Sequence, residues 1–131
     1  MKKILMALLI FAMCGNQAFG KKKELTRIIM SNSPGGEEIN QFDCRDVVYI
    51  DFVFKAEKGE SYLAEARWIN NGEEDRRFQW KITGNHAYAH LILDKSFKGR
   101  LLSIGGFTDK WRVEVYIDGE FLAEKFFYVS C

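Results

Sequence analysis

Few side chains in this sequence combine the residue types and spacing that chemistry needs. The histidines are two, His86 and His90. Four apart on a strand, they share a face but stand about 13 Å apart at ~3.3 Å per residue, too far to hold one metal ion. Asp43, Asp46 and Asp51 offer carboxylates, yet no glycosidase-like context surrounds them. Turn ends and a solvated strand face are their plainer roles. Ser31, Ser33 and Ser61 have no nucleophile elbow around them. The glycines of Pro34-Gly35-Gly36 and Gly105-Gly106 lack the strand-to-helix setting of a phosphate loop. These residues predict no enzyme, no metal site and no cofactor.

The elements that would carry any site follow from length and patterning. The 131 residues suit one domain, and with 15% aromatic residues they can fill a core. Lys plus Arg (19) nearly balances Asp plus Glu (18), so no basic excess points to nucleic acid. The expectation is a chain with no nucleic-acid partner.

Residues 1–20 read as a signal peptide. Lys2 and Lys3 precede the uncharged apolar run 4–13, and Ala18-Phe19-Gly20 puts small residues at the −3 and −1 positions of a cleavage site. Cleavage after Gly20 leaves 21–131 as one domain, removes two lysines and no acid, and takes the net charge from +1 to −1. Two readings compete with soluble export. Phe11-Ala12-Met13-Cys14 resembles a lipoprotein box with Cys14 as the lipidated residue, although Met13 stands where that pattern has Gly, Ala or Ser. Lys21-Lys22-Lys23 just after the cleavage site resists translocation, which leaves an uncleaved anchor as the third reading. Membrane attachment is expected only with lipid on Cys14. Once the leader is gone Cys44 and Cys131 remain, an even pair in an exported chain.

Beyond the leader, strand periodicity recurs. LTRIIM (25–30) starts it, and a polar loop at 31–43 holds Pro34 and Gly35-Gly36. VVYIDFVF (47–54) alternates Val48, Ile50, Phe52 and Phe54 against Val47, Tyr49, Asp51 and Val53. YLAEARWI (62–69) ends at Asn70-Asn71-Gly72, and Phe78, Trp80 and Ile82 mark the next strand. AYAHLIL (87–93) sets Ala87, Ala89, Leu91 and Leu93 against Tyr88, His90 and Ile92, and residues 100–104 offer a short edge strand. Trp111, Val113, Val115 and Ile117 then run into Asp118-Gly119, which supplies positive φ for a tight turn back into 121–129.

About seven strands with turns every eight to twelve residues predict an all-β, antiparallel two-sheet sandwich of the immunoglobulin type. In such a fold the first strand often pairs parallel to the last, and the end of the last strand lies at the same pole as the start of the second. That geometry brings Cys131 to Cys44 and predicts a disulfide between them.

The terminal pattern is carried by Gly106, Trp111, Val113, Glu114, Val115, Tyr116, Asp118, Gly119, Leu122, Ala123, Glu124, Lys125, Phe127 and Val129. It resembles the last hairpin of small bacterial exported immunoglobulin-like domains. The resemblance implies a non-catalytic module of an envelope or secreted assembly, with a protein partner in the envelope or outside the cell. An exposed aromatic face at Tyr116, Phe126 and Tyr128 is the expected contact surface. A small periplasmic inhibitor or chaperone, acting through the 31–43 loop or an open edge strand, is the alternative; a hydrolase comes last.

Overall fold

The computed structural model describes residues 23–93 and 108–130. The leader with Cys14, the strand expected at 100–104, Gly105-Gly106 and Cys131 lie outside them. Eight strands follow in order: β1 (Leu25–Ser31), β2 (Gln41–Asp43), β3 (Val47–Phe54), β4 (Ser61–Asn70), β5 (Glu73–Thr83), β6 (His86–Ile92), β7 (Thr108–Ile117) and β8 (Glu120–Ser130). They form a three-stranded sheet, β1-β3-β6, and a five-stranded sheet, β2-β8-β7-β4-β5.

Alternation explains why the two sheets meet. On β3, Val48, Ile50, Phe52 and Phe54 are buried while the residues between them are half-exposed. On β7, Trp111, Val113, Val115 and Ile117 point the same way, into a shared core with Trp68, Leu91 and Phe127. Phe54 of the small sheet meets Tyr62 of the large one edge to face, ring centroids 5.2 Å apart.

The terminal hairpin closes on Asp118 (φ 51°) and Gly119 (φ 80°), the two left-handed residues of a type I′ turn. Leu63 N–H donates to the Asp118 carboxylate and Asp118 N–H to the Leu63 carbonyl, both at 2.8 Å, which ties the turn to β4.

Three local expectations are corrected. The polar loop expected at 31–43 contains β2, and β2, not the first strand, runs parallel to β8. β1 lies antiparallel on β3 in the other sheet. The chain changes sheets between them, and Glu38 holds the crossing by accepting from Met30 N–H on one side and pairing with Lys125 of β8 on the other. The third correction concerns β5, where Phe78 is exposed and Trp80 half-buried. β5 is the edge of the wider sheet, so its inward face is only partly covered.

Candidate functional site

The non-core face of the small sheet is where the sequence departs from an ordinary solvated surface. β1 pairs with β3 and β3 with β6, which sets outward residues in three rows: Arg27, Val53 and His86; Ile29, Asp51 and Tyr88; Ser31, Tyr49 and His90. Period-2 alternation puts both histidines and Tyr88 on one side of β6 because Ala87 and Leu91 are needed in the core.

The polar groups of this face engage one another. Asp51 accepts a 2.6 Å hydrogen bond from His86 Nε2 and has the Arg27 guanidinium 3.9 Å away. The Tyr49 and His90 rings lie 5.9 Å apart, as do those of His86 and Tyr88. Tyr88 is 70% exposed, the most exposed large hydrophobic side chain described. Pro34, Gly35 and Gly36 form one wall of a groove of about 530 Å³ over these residues. That volume falls within the range of small-ligand sites.

The residues expected to make a contact surface divide. Phe126 and Tyr128 are exposed, 45% and 40%, on the outer face of the large sheet, opposite Arg112 and Lys110 of β7. Lys110 Nζ sits 5.0 Å over the Phe126 ring. Tyr116 lies further along β7, half-buried against Phe121. Arg67 stacks on its ring at 4.1 Å, and its hydroxyl donates to Glu114 at 2.8 Å. Burial, then that hydrogen bond and the Glu114 charge, push the Tyr116 phenol up. Glu65, beside Arg67 and Gln79, belongs to the same network. Burial pushes its carboxyl up, but hydrogen bonds from Gln79 and Arg67 and the charges of Arg67 and Arg77 outweigh it, so the net direction is down. These groups satisfy one another, which makes Tyr116 part of the large sheet's charged lattice.

Among the described residues no cluster of three or more His, Cys, Asp or Glu side chains could hold a metal ion. Asp43 ends β2, and its carboxylate accepts from the Arg45 side chain and backbone across the turn that follows, which pulls it below the usual carboxylate range. Cys44 N–H donates to the Ser130 carbonyl at 3.0 Å, which sets Cys44 beside the end of β8.

In the sequence His86 and His90 were weighed only against each other, and Asp51 only with Asp43 and Asp46. The available signal was collective: the non-core stripe of 47–54 carried Tyr49 and Asp51, and that of 86–92 carried His86, Tyr88 and His90, where Thr, Lys and Glu are common. Arg27 and the Pro34 wall could not be added without knowing that β1 pairs with β3.

No family model matches the chain, and no curated protein does. The fold recurs among solved structures. One is the alkylpurine DNA glycosylase AlkC of Pseudomonas fluorescens bound to DNA containing an abasic site analog, with a TM-score of 0.56 and 9% identity. The match covers 83% of this chain and 30% of the glycosylase, so the chain spans under a third of that protein's length. At this identity the likeness shows the fold alone. It nonetheless corrects three expectations. The resemblance of the terminal hairpin to small bacterial exported immunoglobulin-like domains finds no support, because Trp-x-Val-x-Val followed by Asp-Gly is what any one-face-buried hairpin with a type I′ turn requires. The expectation of no enzyme is overturned as an inference, since this fold occurs within an enzyme chain. The exclusion of nucleic acid fails likewise: the matched protein is bound to DNA, and balanced overall charge does not describe any local surface.

Proposed function

We propose that the chain is an exported binding or structural subunit of an assembly in the cell envelope or outside the cell. Its contact surface is the outer face of the three-stranded sheet. The observation that carries this reading is Tyr88, 70% exposed on a regular strand between His86 and His90, with a walled groove beside it. Exposed aromatic groups on a rigid sheet cost little entropy to order on binding, which makes such surfaces effective anchors.

Export rests on the leader and on the cysteines. Cys44 N–H meets the carbonyl of Ser130, one residue before Cys131, and an exported chain without its leader keeps these two cysteines as an even pair. These points support a Cys44–Cys131 bridge. The sheet orders β1-β3-β6 and β2-β8-β7-β4-β5, with β2 parallel to β8, support an immunoglobulin-type sandwich.

The test is fractionation of bacterial cells producing the full chain with its own leader. The protein is expected in the periplasm or medium, partly co-sedimenting with envelope particles, and Tyr88→Ala is expected to release it. Retention in the cytoplasm, or equal sedimentation of the variant, would overturn the reading. A second reading, contact with nucleic acid, has in its favour the fold shared with a DNA-bound glycosylase. Salt-dependent binding of an oligonucleotide, lost in Tyr88→Ala, is the result that would select it.

A further inference from the structure

The groove over the small sheet is specific about the charge its occupant can carry. Its described charged side chains are one cation and one anion, Arg27 and Asp51, 3.9 Å apart. Asp51 is engaged a second time by His86 Nε2. A polyanion needs a track of Lys and Arg along its phosphates, and here the single guanidinium already faces a carboxylate. A purely apolar occupant would strip water from Arg27, Asp51 and the imidazoles without replacing their hydrogen bonds. The rest of the lining is the rings of Tyr49, His86, Tyr88 and His90, set beside Ile29, Ser31, Ile50 and the Pro34 to Gly36 wall.

An uncharged, ring-shaped, hydroxyl-rich ligand satisfies both sets of groups. The C–H face of a pyranose lies flat on an aromatic ring such as Tyr88. Its hydroxyls donate to Asp51 and accept from Arg27 or an imidazole N–H. We infer that this groove binds a neutral oligosaccharide. The inference rests on the reading of this face as the binding surface and adds the chemistry of the ligand. Rows of outward residues at the ~3.3 Å strand rise give the groove the extent of a chain segment more than of one sugar.

The experiment is calorimetric and NMR titration of the full oxidised chain with cellohexaose, laminarihexaose and chitohexaose, and separately with a single-stranded oligodeoxythymidine. Saturable binding of at least one neutral oligosaccharide is expected, little affected by salt. Tyr88→Ala should weaken it about tenfold or more, read as a ratio of dissociation constants. Tyr88 is largely exposed, so this variant keeps the fold, as an unchanged circular dichroism spectrum would verify. Binding of none of the three saccharides, binding indifferent to Tyr88→Ala, or salt-dependent preference for the oligonucleotide would each overturn the inference. If no saccharide binds while Tyr88→Ala still releases the protein from envelope particles, the surface stands and the saccharide chemistry falls. If saccharides bind but the protein stays cytoplasmic, the saccharide chemistry stands and the envelope reading falls.

Discussion

Asp109, at the start of β7, holds the β4–β5 turn through two amides: Asn70 Nδ2 donates to its Oδ2 at 2.5 Å and Asn71 Nδ2 to its Oδ1 at 2.8 Å. Asn70 and Asp109 are both buried. Asn71 (φ 50°) and Gly72 (φ 85°) form the turn itself, so the carboxylate fixes a left-handed asparagine from below. Asp109→Ala removes the carboxylate from both amides and leaves the buried Asn70 Nδ2 only its longer bond to the Lys110 carbonyl, 3.3 Å. It should destabilise the domain by about 1–3 kcal/mol, measured as a shift in the urea midpoint. A shift within error of zero would show that water replaces the carboxylate.

Glu65 predicts the shape of the acid limb. Its carboxyl is held below the ordinary range in the folded state. A depressed carboxylate contributes stability above the unfolded value, near 4.3, and loses it as pH falls through the lower folded value. Glu65→Gln should therefore be less stable than the parent at pH 7, with the gap closing as pH falls below about 4. Urea midpoints at several pH values check this, and a gap that stays constant would contradict it.

Phe127 is the hub of the aromatic core. It stacks with Trp111 (centroids 5.9 Å, 22°) and meets Phe42 (5.5 Å, 77°) and Trp68 (6.1 Å, 81°) edge to face. Phe127→Ala should cost about 3–5 kcal/mol, and Phe127→Leu distinctly less because most of the volume is kept. Thermal denaturation of both variants would show the order.

The proposed Cys44–Cys131 bridge makes a prediction in mass and in stability. Intact-mass analysis of oxidised protein should differ from reduced protein by two hydrogens, with no free thiol at either position. Cys44→Ser should lose about 2–4 kcal/mol through the released chain entropy of the unfolded state. Free thiols at both sites in oxidised material would end the proposal. The same spectrum reads cleavage after Gly20 against lipid on Cys14.

What the sequence alone determined is local. Alternation on 47–54 and 111–117 marked which side chains enter the core, and Asp118-Gly119 marked the hairpin turn, because pleat and positive φ are properties of adjacent residues. The exposure of Phe126 and Tyr128 followed from the same alternation. Tertiary structure decided everything that depends on which strands become neighbours. It moved the parallel pairing from the first strand to Gln41–Asp43, left Phe78 exposed on an edge, and parted Tyr116 from Phe126. It also brought Arg27, Asp51, Tyr49, His86, Tyr88 and His90, drawn from three strands, onto one face. Pairing is set by the summed burial of distant stripes, a quantity no single stretch of sequence displays.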